Sequence, residues 1–115
     1  MPYTKPLLSF IELAPFAQAR EAYGMDDAEF AELQLALAAE PEAGDVIPGS
    51  GGCRKWRWRA PGRGKRGGYR VIYFLRIAEG SVVLVLLYAK NVRDNVDPGL
   101  LRQLKARFDH GQADR

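Results

Sequence analysis

The chain has 115 residues, 47% apolar and 27% charged, which suits one small globular domain spanning residues 1–115 and leaves no room for a second domain. A lone cysteine, Cys53, excludes an internal disulfide and has no partners for a zinc site. The opening MPYTKPLLSF lacks signal-peptide character, and the longest apolar stretch, Val82 to Ala89, is too short for a bilayer; the expectation is a soluble cytoplasmic protein with no membrane partner.

The first predicted element is a strand in LLSFIEL, Leu7 to Leu13. A helix follows in APFAQAREAYG, with Pro15 in its first turn, Gly24 just past its end, and Phe16, Ala19 and Tyr23 at helical spacing. A second helix starts near Asp26, where Asp26 and Glu29 resemble a capping box. Its buried stripe is predicted as Phe30, Leu33 and Leu37, with the acids facing water, and Pro41 ends it. Residues Glu42 to Gly52, EAGDVIPGSGG, read as a loop.

Beyond that loop the period changes to two. In RKWRWR, Arg54 to Arg59, the two tryptophans Trp56 and Trp58 point one way and Lys55, Arg57 and Arg59 the other. GYRVIYFLRI and SVVLVLLYA are two further strands joined by a tight hairpin at Glu79-Gly80. Ser81 to Leu87 is apolar at nearly every position, as in a central strand covered on both faces. Asp97 and Pro98 open a last helix with Leu101, Leu104 and Phe108 inward and Arg102, Lys105 and Arg107 outward, and residues 110–115 are expected to fray. The order is β-α-α-β-β-β-α. It predicts an α+β fold with two N-terminal helices packed on one face of a small, mostly antiparallel sheet, followed by a C-terminal helix.

Charge divides the chain. Met1 to Asp45 holds nine acids and two bases, a balance of −7, whereas Val46 to Arg115 holds fifteen bases and five acids, a balance of +10. Eight bases and no acid lie between Arg54 and Arg70. Within that block, Gly62, Gly64 and Gly67 satisfy G-x-G-x-x-G. A dinucleotide loop needs a helix after its glycines and an acid about 20 residues on. Here a strand pattern follows instead of a helix. What remains is a glycine-jointed loop carrying Arg63, Lys65 and Arg66 beside a strand whose Lys55, Arg57 and Arg59 share a face that Arg70 can join. Like charges across adjacent strands cost stability, so the expectation is a surface for a polyanion, above all nucleic acid.

Three stretches, GDVIPGSGGCRKWRW, GRGKRGGYRVIYF and LLYAKNVRDNV, together resemble the HigB-like branch of the RelE/ParE toxin superfamily. The likeness covers Gly44 to Val96 in motif and the whole chain in element order. It implies the toxin of a type II toxin–antitoxin pair, which cleaves mRNA in the ribosomal A site. It also implies a cognate antitoxin, usually with a helix-turn-helix domain, that blocks the toxin by direct binding. Carried over by position, the resemblance makes Lys55, Arg57, Arg70 and Lys90 the candidate catalytic residues. Arg54, Arg59, Arg63, Lys65, Arg66, Asn91 and Arg93 are the candidate RNA contacts. Two positions depart from the RelE pattern. Asn91 stands where an arginine follows the lysine, and Asp97-Pro98 stands where a tyrosine precedes the last helix. Tyr73 and Tyr88 are the tyrosines that can replace it, although packing is the ordinary role of a strand tyrosine.

Self-cleavage of RNA through its 2′-hydroxyl requires removal of that proton, stabilisation of the phosphorane charge and protonation of the leaving 5′-oxygen. The only histidine, His110, falls in the expected tail, and the basic half has no acid cluster for a metal. Lysine and arginine must then act alone, with no metal and no cofactor. Arg57, Arg70 and Lys90 suit the phosphate, and Lys55 suits proton transfer. The ribosome supplies orientation. Two other readings compete: a ParE-like inhibitor of DNA gyrase, and an RNA-binding module without catalysis.

Overall fold

The computed structural model describes residues 9–59, 68–89 and 96–113. The apolar run Ser81–Ala89 forms β5, and its side chains feed two separate cores, one on each face of a five-stranded sheet. The sheet order is β1 (Ser9–Glu12), β5, β4 (Tyr69–Arg76), β3 (Arg54–Trp58) and β2 (Asp45–Val46). Strand β1 runs parallel to β5 and the other pairings are antiparallel, so the sheet is mostly antiparallel, as expected.

Helices α1 (Ala14–Ala22) and α2 (Asp27–Ala39) cover one face, where Phe16, Leu33 and Leu37 pack with Trp58, Val71, Tyr73, Val82 and Leu84. Helix α3 (Pro98–Ala113) covers part of the other, where Leu101, Leu104 and Phe108 meet Cys53, Ile72, Phe74, Val83 and Val85. The predicted punctuation is present. The Asp26 side chain accepts a hydrogen bond from the Glu29 amide at 2.8 Å, Gly24 takes φ +71° behind α1, and Asp97 caps α3 through the Gly99 amide.

Four expectations need correction. Residues 45–46 are a strand rather than loop; two residues at a sheet edge are too few to show an alternating pattern. Not all acids of α2 face water: Glu29 is 4% exposed, while Leu35 is 73% exposed. Glu29, Leu33 and Leu37 lie four residues apart, so the buried stripe runs through the glutamate. The β4–β5 hairpin is wider than a two-residue turn, with a 3₁₀ turn at Ile77–Glu79 closed by Gly80 at φ +68°. Helix α3 does not end before His110 but continues to Ala113; a single interior glycine, Gly111, costs only about 1 kcal/mol against a helix already docked on the sheet.

Ion pairs tie the helices to the sheet. Arg20 of α1 binds Glu12 of β1 at 2.7 Å and stacks over Phe30 of α2 at 4.1 Å. The hydrogen bond that Arg20 donates to Glu12 raises the Arg20 pKa further. Asp109 of α3 meets Arg76 at 3.1 Å and Lys105 at 3.2 Å.

Candidate nucleic-acid interface

Strand pairing decides which cations meet. Between β3 and β4, Arg57 lies directly opposite Arg70 and Lys55 opposite Ile72. Between β4 and β5, Arg70 lies opposite Tyr88. Arg57, Arg70 and Tyr88 therefore form one row across three strands, with Lys55 two residues along β3 on the same side. Directly opposed residues carry their Cβ atoms about 5 Å apart, so the two guanidinium groups can reach one phosphate. Arg57 is exposed, and Lys55 and Arg70 are half-buried.

The arginine end of the row is the accessible one: Arg57 is exposed and Arg70 half-buried, whereas Tyr88 belongs to the α3-side core. Helix α3 packs on this face near Phe74, whose ring meets Phe108 at 5.9 Å. Phe74 lies toward the end of β4 and Arg70 at its start. Trp56 and Trp58 occupy the other side of β3, ring centroids 6.3 Å apart, with Trp58 5% exposed in the core beneath α1 and α2. Packing is their role, as the alternation predicts.

The structure does not bring Arg54 into the row. It projects to the opposite side of β3 and donates to the backbone carbonyls of Gly44 at 2.8 Å and Glu42 at 3.3 Å. Arg59 is exposed just past the end of β3. Arg63, Lys65, Arg66, Lys90, Asn91 and Arg93 lie outside the described residues, as do Gly62, Gly64 and Gly67. The element that follows those glycines is β4, a strand, which removes the dinucleotide reading.

The two tyrosines separate. Tyr73 is fully buried on the α1–α2 side, where its hydroxyl donates to the Pro41 carbonyl at 2.6 Å and accepts from the Gly44 amide at 3.0 Å. It pins the chain behind α2, on the wrong face for chemistry at the row. A Cβ on Gly44 would come within 3.0 Å of the Tyr73 ring and of the Lys55 carbonyl, so this close approach requires glycine. Tyr88 stands on the basic face, which nothing in the apolar β5 sequence signals.

Among the described residues, no group of three or more His, Cys, Asp or Glu side chains is placed to hold a metal ion. His110 is exposed on α3. Cys53 is buried beneath α3, and burial pushes its thiol pKa up, against the opposing effects of Ser50 and Lys105; the thiol therefore stays neutral near pH 7 and is a poor nucleophile. A groove of about 480 Å³ between the β1–α1 junction and α3, lined by Ile11, Leu13, Pro15, Leu104 and Phe108, contains no residue of the basic row. Among the described residues, no helix is long and apolar enough to cross a membrane.

These features define a small α+β protein with helices on both faces of the sheet and an arginine pair on one end of it. The family model for the RelE toxin of the RelE/RelB toxin–antitoxin system matches residues 16–113. The chain belongs to that family and is a RelE-superfamily toxin of a toxin–antitoxin system. Two solved structures are similar to it. A mutant of the Escherichia coli toxin RelE in the free state shares 13% identity over 75% of this chain and 86% of that one, with a TM-score of 0.49. The archaeal RelE–RelB complex from Pyrococcus horikoshii OT3 shares 23% identity over 81% of this chain and 100% of the matched chain, with a TM-score of 0.47.

Proposed function

We propose that this toxin cleaves mRNA in the ribosomal A site without a metal ion and is neutralised by a cognate antitoxin, of the helix-turn-helix type, that binds it directly. The observation that carries the proposal is the pairing of Arg57 with Arg70 on adjacent strands, with Lys55 on the same side. Like charges directly opposed across a sheet repel each other. They become favourable when a doubly contacted phosphate lies between them.

In this mechanism the 2′-hydroxyl of the nucleotide attacks the adjacent phosphorus. Arg57 and Arg70 balance the charge that builds on the phosphorane oxygens. Lys55 takes the proton from the 2′-hydroxyl and passes one on to the leaving 5′-oxygen, giving a 2′,3′-cyclic phosphate and a free 5′-hydroxyl with no net gain or loss of protons. The ribosome holds the attacking and leaving oxygens in line, so free RNA is a poor substrate. Lys90, Arg59, Arg63, Lys65, Arg66, Asn91 and Arg93 complete the proposed RNA surface.

The test is to map mRNA ends after a short pulse of expression. New 5′ ends inside codons are expected, and Arg70→Ala is expected to remove them with growth inhibition while shifting the melting temperature by no more than a few degrees. DNA damage without new mRNA ends would replace this reading with gyrase inhibition. RNA binding without new ends would reduce it to a binding module.

A further inference from the structure

We propose that Tyr88 is a positioning residue for Arg70, delivered to the basic face by a one-residue β-bulge at Val85. Along the first part of β5, Val82 and Leu84 face the α1–α2 core and Val83 faces the α3 core. Strict alternation would send Leu86 and Tyr88 to the α1–α2 side. The register breaks instead. Tyr73 pairs with Leu84 while Ile72 pairs with Leu86, so Val85 is an extra residue in β5. Val85 and Leu86 both join the α3 side, Leu87 returns to the α1–α2 side, and Tyr88 lands opposite Arg70.

Arg70 is then bracketed in the sheet, with Arg57 on one neighbouring strand and Tyr88 on the other. The Arg57 charge repels the Arg70 guanidinium from one side, and the Tyr88 ring, directly opposite on the other neighbouring strand, bounds it by its bulk. Charge on one side and a fixed ring on the other narrow the orientations open to a long side chain. Tyr88 is 6% exposed and its hydroxyl oxygen is buried, so this tyrosine does not reach a substrate above the sheet. It acts through Arg70, by the shape of its ring rather than by acid–base chemistry.

The inference rests on the RNA reading for its purpose but is tested without RNA. Side-chain Nε–H relaxation of Arg70 is measured by NMR in the free toxin and in its Tyr88→Phe and Tyr88→Met variants. Met is apolar and adaptable, and fills the core if a smaller residue would not fold. Arg70 is expected to be ordered in the parent and in Tyr88→Phe, and mobile in Tyr88→Met. Unchanged order in Tyr88→Met, or mobility in Tyr88→Phe equal to that in Tyr88→Met, overturns the proposal. A second measurement uses a fluorescein-labelled, 2′-O-methylated RNA oligonucleotide that cannot be cleaved. Tyr88→Met is expected to weaken its binding about tenfold, and to cause no further loss in an Arg70→Ala background; losses that simply add also overturn the proposal. If the parent toxin fails to bind the oligonucleotide while the NMR result holds, the positioning stands and the RNA reading is what falls.

Discussion

Arg54 and Arg57 stand three residues apart on one strand and do opposite things. Arg54 turns to the side of the tryptophans and is satisfied by two carbonyls of its own chain, where it holds the β2 segment against β3. Arg57 turns to the other side, is exposed, and faces another arginine. The first arginine is tied to its own chain; the second is presented to solvent, where the proposed phosphate would sit. Basic composition therefore does not measure a nucleic-acid surface. The side of the sheet on which each base lies does.

Four substitutions test this division of labour between the two sides of β3. The largest expected effect comes from Gly68, which joins the chain to β4 at φ +61°, where an added Cβ would clash with the Trp58 carbonyl oxygen. Gly68→Ala combines a left-handed backbone penalty with overpacking, about 3 kcal/mol, and urea denaturation should show that loss. If it does not, the β3–β4 pairing that opposes Arg57 to Arg70 is not held there.

Next in size is Arg57→Ala. Removing one donor from the phosphorane is expected to lower ribosome-dependent cleavage about a hundredfold, with stability unchanged or slightly raised. A large fall in melting temperature would make Arg57 a structural residue like Arg54. Tyr73→Phe deletes the hydroxyl that serves both Pro41 and Gly44 and leaves two buried backbone groups unpaired, for a loss of about 2 kcal/mol. Cleavage by the folded fraction is expected to be retained, and its loss would return Tyr73 to the list of candidate bases. The smallest effect belongs to Arg54→Ala, about 1 kcal/mol of stability for two partly exposed hydrogen bonds, with cleavage per folded molecule unaltered. Abolished cleavage at intact stability would erase the contrast between the two sides of β3.

Much of the fold was legible along the chain because its signals are local. Pro15 and Gly24 bound α1, Asp26 caps α2, and the RKWRWR alternation sorts tryptophans from Lys55 and Arg57 within a single strand. The same local reading placed Glu29 in water, because it counted the residue type and not the four-residue line that runs through Leu33 and Leu37. It included Arg54 among the RNA contacts because a base in a basic run carries no mark of the carbonyls that wait for it from Glu42 and Gly44.

The amino-acid pattern is enough for the order of every element except the two-residue β2, for the two-sidedness of β3 and for membership of a toxin family, since periods of 2 and 3.6 and turn residues act over a few positions. The tertiary structure alone decided that Arg57 opposes Arg70, that Tyr73 braces the core and that Tyr88 flanks the arginine. Those outcomes depend on the register between strands distant in the chain and on a bulge in β5. From Val82 to Leu87 that strand is apolar at every position, so its pattern has no phase. Only packing against helices on both faces shows where the extra residue falls.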